Sequence, residues 1–369
     1  MRFVMNSLKN LRGRKSALLF FVLILIGLSF VYPALVQAQA SSDLSREKIL
    51  FTVGYAHLDT QWRWDYQKTI KEYIWKTMVD NFSLFEKYPH YVFNFSGANR
   101  YRMMNEYYPE EYKKVKDYVA QGRWFPAGSS MEENDVMAPS AESIIRQVLY
   151  GTHYFRREFG FSSREYILPD CFGFPASLPS ILAHCGLKGF STQKLSWGSA
   201  IGIPFNLGVW DGPDGQSLIA ALNPGDYVSK ISGDLTQNEI WMKRVKDNGQ
   251  KYGVYADYMY YGTGDVGGAP DENSVINLEK SLASSRESEI KIAASKAEDL
   301  FVAITPEQKQ KLPVYRGEFL LTNHSAGSIT SQAAIKRWNR KNEFLGFSAE
   351  TAAVIGAWSG GIGYDQTRL

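Results

Sequence analysis

The segment Ala56-His57-Leu58-Asp59-Thr60-Gln61-Trp62-Arg63-Trp64 directly follows the β-branched and aromatic run Ile49-Leu50-Phe51-Thr52-Val53. In a strand, residues two apart point to one side, so a His57 imidazole nitrogen and an Asp59 carboxylate oxygen can reach one divalent cation. Trp62 adds a flat apolar face of the kind on which a sugar ring stacks. A polar turn after a strand is the plainer account of His-x-Asp, and a second acid at a second strand end shifts the balance. Asp170 stands in Pro169-Asp170-Cys171-Phe172-Gly173-Phe174-Pro175, after Tyr166-Ile167-Leu168. An acid fixed between prolines and a glycine has few routes to full hydration, which suits a nucleophile or a metal ligand, although aspartate also simply supports turns. Asp265 is the third acid, set among Gly262, Gly264, Gly267 and Gly268. Glycines there let backbone approach a ligand closely, or mark a mobile linker; the lysine and spacing of a phosphate-cradling loop are missing.

The elements that must carry these acids alternate from about Ile49 to Leu222. Residues 72–88 read as helix, 91–95 as strand, 109–121 as a helix ended by Gly122, and 123–128 as a short strand. Ser140 caps a helix with Ile145, Val148, Leu149 and Thr152 on one face, Gly160 closes it, and 165–168 is the next strand. Alternation of this type implies parallel pairing in an α/β barrel or layered sheet, with ligands at the carboxyl ends of the strands. After Gly225 the pattern reads as largely helical over 237–251 and 272–303, with the glycine-rich loop between. A long helix over 328–355 follows, with Ala334, Trp338, Phe344, Phe347 and Ala352 as one packed side. This predicts a helical subdomain beginning near Pro313.

Residues 1–40 have the make-up of an export signal: Arg2, Lys9, Arg12, Arg14 and Lys15, then the uncharged run 17–31, then Ala38-Gln39-Ala40. The apolar run is short for a membrane span and Pro33 interrupts its end, so membrane contact is expected only through this segment if it stays uncleaved. The full sequence carries a net charge of +3, and those five basic residues are the segment's only charges, so the mature chain is mildly acidic. A basic partner-binding surface is therefore not indicated, and nucleic acid is not an expected ligand. Export places the chain in an oxidising compartment, periplasmic or extracellular, yet it has only Cys171 and Cys185, too far apart for a CxxC site.

Together these clusters make the sequence resemble glycoside hydrolase family 38, the class II α-mannosidases. The residues that carry the resemblance are His57-Leu58-Asp59 with Trp62, Pro169-Asp170-Cys171-Phe172-Gly173 and Gly264-Asp265-Val266-Gly267-Gly268. Between them, in order, come Gly122-Arg123-Trp124 with Glu133-Asn134-Asp135, Glu142-Ser143-Ile144-Ile145-Arg146-Gln147, and Phe190-Ser191-Thr192-Gln193-Lys194-Leu195-Ser196-Trp197. His324-Ser325-Ala326-Gly327-Ser328 and Lys336-Arg337 look like the entry to that family's helical bundle. The resemblance implies an irregular parallel α/β barrel over residues 41–312, then a partial bundle segment over 313–369. It also implies a retaining, exo-acting α-mannosidase that removes terminal α-linked mannose from glycans.

In the family, the equivalents of His57, Asp59 and Asp170 hold a divalent metal, usually zinc; Asp170 matches the nucleophile, Asp265 the general acid/base and Trp62 the sugar platform. The family's fourth ligand is a histidine in a His-Asp motif beyond the matched stretch. None of His90, His153, His184 or His324 precedes an aspartate, and His324 is the only stand-in. The expectation is therefore an N-terminal portion with an incomplete metal site, prone to self-association through its last helix. A non-catalytic mannose-binding remnant is the alternative. A metal-dependent polysaccharide deacetylase would need a His-x3-His pair, which the sequence lacks.

Overall fold

The computed structural model describes residues 43–323, 332–361 and 363; the export-signal segment and His324 lie outside the described residues. In chain order the strands are β1 (Lys48–Ala56), β2 (Phe93–Ser96), β3 (Trp124–Ala127), β4 (Glu165–Ile167), β5 (Gly189–Ser191), β6 (Leu207–Asp211), β7 (Ser217–Ala221), β8 (Ala256–Thr263), β9 (Ile290–Ala294) and β10 (Val314–Arg316). One sheet runs β3-β2-β1-β8, with β9 also paired to β1, and every pair in it is parallel. The other runs β10-β6-β7-β5-β4 and is parallel except for the β6-β7 pair. Residues 49–56 of β1 are buried without a break, the pattern of a parallel strand covered on both faces.

The two sheets share one interior. Phe51, Val53 and Tyr55 of β1, Phe125 of β3, Ile167 of β4, Val209 of β6, Ile219 of β7 and Tyr258 and Tyr260 of β8 form a single buried cluster. The Tyr260 hydroxyl crosses it to the Ser191 hydroxyl at 2.6 Å, and Glu165 at the start of β4 accepts from the Gly128 backbone N–H at 2.7 Å just past β3. Filled with side chains, this is the inside of an irregular barrel made of two hydrogen-bonded sheets. Each large side chain placed there stabilises the fold by roughly 1.5–3 kcal/mol. Two further clusters lie outside the sheets, under the helices. The helix Ala141–Phe159 begins and ends as its sequence predicts, with the Ser140 side chain accepting from the Ser143 N–H and Gly160 left-handed at the C-cap.

Beyond Gly225 the structure corrects the helical reading. The expected helix over 272–303 stops at Ser284 and is followed by β9, because Ile290 and Ile292 are buried while Lys291 is exposed, an alternation of period two. The run 256–263 is β8, aligned with β1 along its whole length. Buried on both sides, its side chains do not alternate, and Asp257 hides the hydrophobic run until Arg244 pairs with it at 2.6 Å. The later half of the chain thus completes the first sheet. Likewise the division placed at 312/313 falls just ahead of β10, which pairs with β6, and Phe319 bridges to Phe174.

The last helix is Ala333–Gly360, and none of its described residues is buried. It rests on Ala141–Phe159 through polar contacts: Glu343 accepts from the Ser140 N–H and the Ser143 hydroxyl, and Arg146 forms a fork with Glu350 at 2.6 and 2.7 Å. Trp338, Phe347 and Trp358 remain 59%, 41% and 89% exposed. These rings stand on different sides of the helix, and aromatic surface left this open makes self-association through it an expectation to test. Trp338→Ser with Phe347→Ser is expected to lower the mass seen by light scattering at high concentration. An unchanged mass would rule out self-association through this helix.

Candidate functional site

His57, Asp170 and Asp265 all emerge just beyond the carboxyl ends of parallel strands: β1 ends at Ala56, β4 at Ile167 and β8 at Thr263. Neighbouring backbone then locks the turns together. The His57 N–H donates to the Thr263 carbonyl at 3.0 Å, Asp59 N–H to the Asp265 carbonyl at 2.9 Å, and Gly267 N–H to the His57 carbonyl at 3.0 Å. Gly262 permits this approach, since a Cβ there would lie 1.8 Å from the Tyr55 carbonyl oxygen. The glycine-rich loop is accordingly pinned, not a linker: Gly268 donates to Thr77 at 2.8 Å and accepts from Asn81 at 3.0 Å. Asp265 itself has φ of 67°, a left-handed conformation that aspartate tolerates better than most residues.

All five residues singled out by the sequence, His57, Asp59, Trp62, Asp170 and Asp265, line one cleft of about 810 Å³. Trp62 is 55% exposed, with the Arg63 guanidinium 4.1 Å from its ring centre. Its loop is tied down by Thr69, which accepts from the Trp64 indole at 3.0 Å and donates to the Thr60 carbonyl at 2.7 Å. Thr69 opens a π-helical turn, Thr69–Ile74, a distortion often found beside functional sites. Through Asp135 and Phe172 the cleft continues into a second hollow of about 730 Å³, walled by Ile335, Lys336 and Asn339 of the last helix.

His57 Nε2 is buried with no hydrogen-bond partner, 3.5 Å from Asp59 Oδ1 and 3.6 Å from Asp170 Oδ2. Ligand atoms of His57, Asp59 and Asp265 also lie within 4.8 Å of one another. An orphaned imidazole nitrogen facing carboxylates is a donor set that a divalent cation accepts, so the residues fit such an ion. Asp265 therefore adjoins the place such an ion would take, while Asp170 lies on the His57 side of it.

Several residues of the site carried no assigned role in the sequence. Lys194, 1% exposed, pairs its ammonium with Asp170 and is boxed by the Trp197 ring at 3.7 Å and the Phe172 ring at 4.7 Å. The Tyr227 hydroxyl donates to Asp265 Oδ1 at 3.0 Å; burial, then Asp170 and Asp265, push that phenol well up. Burial alone would raise the Asp170 carboxyl, but the His57 ring and the Lys194 charge outweigh it and hold Asp170 below the usual carboxylate range. Glu133 and Arg100 form a buried pair behind His57, with Arg100 Nη1 3.0 Å from Glu133 Oε1. Glu133 and Lys194 stand in stretches that carry the resemblance but without a role, and the remaining signal is positional: Glu133 follows β3, Lys194 follows β5 and Tyr227 follows β7.

Because the Lys194 charge favours ionised Asp170, Lys194→Met should raise the Asp170 pKa. The acidic limb of a kcat/KM profile then moves to higher pH, since more alkali is needed to ionise the carboxyl. Methionine keeps the packing between Trp197 and Phe172. A limb that stays put or moves to lower pH contradicts this coupling.

Parallel strands that deliver acids to one rim, beside an imidazole and an exposed tryptophan, define an α/β barrel with its candidate site at the carboxyl ends of the strands. The chain belongs to glycosyl hydrolase family 38: residues 48–318 match the model described as Glycosyl hydrolases family 38 N-terminal domain. It is 34% identical over 291 residues to Alpha-mannosidase G of Dictyostelium discoideum, covering 79% of this chain and 26% of that protein. Identity is 31% over 294 residues to Alpha-mannosidase 2C1 of Homo sapiens, covering 80% of this chain and 27% of that one. The chain thus spans about a quarter of the length of these curated relatives. Among solved structures, an alpha-mannosidase from Enterococcus faecalis V583 aligns with a TM-score of 0.57 over 74% of this chain and 31% of that one, at 19% identity, a likeness of fold.

Proposed function

We propose that this chain carries the catalytic core of a retaining, exo-acting α-mannosidase that removes terminal α-linked mannose from glycans with the help of a divalent metal, zinc by its resemblance to the family. The observation that supports it best is the convergence of Asp170 and Asp265, from separate strand ends, on the cleft that also holds His57, Asp59 and Trp62. Asp170, kept ionised by the buried Lys194 ammonium beside it, attacks the anomeric carbon and forms a glycosyl ester. Asp265 gives its proton to the departing oxygen and then takes one from the water that cleaves the ester, so configuration is retained. Tyr227 holds the Asp265 carboxyl in place through its hydroxyl. His57, Asp59 and Asp170, with Asp265 adjoining, would hold the metal, which supplies Lewis-acid anchorage for sugar hydroxyls. The exposed Trp62 ring offers the apolar face of a sugar its platform, and the hollow beyond Phe172 leaves room for the rest of the glycan. The basic and apolar residues 1–40 support export, to the periplasm or beyond the cell.

The test is hydrolysis of an aryl α-mannoside by the full chain, followed by NMR of the first-formed sugar. The expected product is the α-anomer, lost on treatment with a chelator and restored by zinc. Production of the β-anomer would sink the retaining mechanism, and turnover indifferent to the chelator would sink the metal's part in it.

A further inference from the structure

Behind the His57 ring, on the side of the nitrogen that faces away from the Asp59 and Asp170 carboxylates, sits Glu133. Its Oε2 is 2.8 Å from His57 Nδ1, and the two side chains are 4% and 5% exposed. The carboxylate lies off the line of the N–H, so the contact is one of charge rather than a directed hydrogen bond, and neither ring nitrogen has a hydrogen-bond partner among the described residues. Glu133 has no freedom to swing aside. Its other oxygen is held by Arg100 Nη1 at 3.0 Å and by the hydroxyls of Tyr55 and Ser96. The same guanidinium donates through Nη2 to the carbonyl of Leu58, the residue between His57 and Asp59. One buried ion pair therefore grips both the ring of His57 and the backbone of the His-x-Asp turn.

We propose that Glu133, clamped by Arg100, is a positioning residue for the cation site: its charge keeps the proton of a neutral His57 on Nδ1, leaving the Nε2 lone pair to face Asp59, Asp170 and Asp265. An imidazole carries one proton in its neutral form, and whichever nitrogen holds it cannot bind a metal. A carboxylate at Nδ1 decides that choice and also makes Nε2 a stronger donor. Without Glu133, a proton on Nε2 would compete with the cation for the nitrogen that matters. The proposal rests on the metal reading above, and its test separates the two.

Zinc alone is the probe, titrated into the full chain against a chromophoric chelator, with cobalt absorption in the visible range as a second readout. Glu133→Gln should weaken zinc binding about 10- to 100-fold and alter the cobalt spectrum, while near-ultraviolet circular dichroism is kept. Because the single change leaves Arg100 buried without its counter-charge, the Glu133→Gln/Arg100→Met double variant is measured beside it. That variant has no orphaned charge, and the same loss is expected from it. Zinc affinity within about twofold of wild type in a folded variant, with an unaltered cobalt spectrum, overturns the role of Glu133. Failure of the wild-type chain to bind zinc or cobalt overturns the cation site itself, and the positioning role falls with it.

Discussion

Asp170→Asn is expected to lower turnover of an aryl α-mannoside by on the order of 10³-fold or more, because an amide cannot form the glycosyl ester on which the two-step path depends. The loss should appear in kcat and kcat/KM alike, since the group acts in the transition state. Stability will not be untouched. Lys194 is buried against Asp170, and an asparagine carbonyl accepts from it without offsetting its charge, so the variant should lose about 1–3 kcal/mol. The Trp197 ring 3.7 Å from the ammonium limits that cost, and the fold should persist. Thermal melting of the variant, with tryptophan fluorescence to follow mannose binding, separates the two effects. Activity within tenfold of wild type in a folded protein would remove Asp170 from the nucleophile's role.

Asp265→Asn carries the second large effect, and it depends on the leaving group. A disaccharide needs its departing oxygen protonated, so kcat/KM should fall about 10²- to 10⁴-fold, whereas a dinitrophenyl mannoside, whose leaving group needs no proton, should keep most of its first-step rate. Asparagine is the variant of choice because position 265 is left-handed, with φ of 67°, and alanine there would add backbone strain. Tyr227 can still donate to the asparagine carbonyl. The geometry also admits a rival. Asp265 lies in the cluster with His57 and Asp59, so a purely ligating role would weaken zinc binding and reduce both substrates in parallel. Parallel loss would reassign Asp265 from acid to ligand.

How much of this was legible beforehand follows from how far each signal reaches along the chain. The His57-x-Asp59 turn, the Pro169-Asp170 strand end and the glycine-flanked Asp265 are local patterns, visible because residue type and immediate neighbours already restrict what the backbone and side chain do. Ser140 and Gly160 bounded their helix for the same reason. β9 falls inside a stretch that reads as helix, and β8 inside the segment that reads as a glycine-rich loop between helices. A strand buried on both faces loses the alternation that identifies it, and Asp257 looks polar until Arg244, thirteen residues upstream, reaches it. The five-residue β9 is too short for its period to outweigh the helix before it.

The sequence by itself determined which residues can do the chemistry, because a carboxylate or an imidazole keeps its chemistry wherever it is placed, and it determined that they lie at strand ends. The tertiary structure decided what each one meets. Lys194 against Asp170, Tyr227 against Asp265 and Glu133 against His57 are contacts between residues 24, 38 and 76 positions apart, made only when separate strands deliver their loops to one rim. The physical reason lies in burial. A lone carboxylate in water ionises as its type dictates, but inside the cleft the loss of water raises the cost of every charge, and neighbours then decide which charges survive. Those neighbours come from other strands, and no stretch of sequence names them.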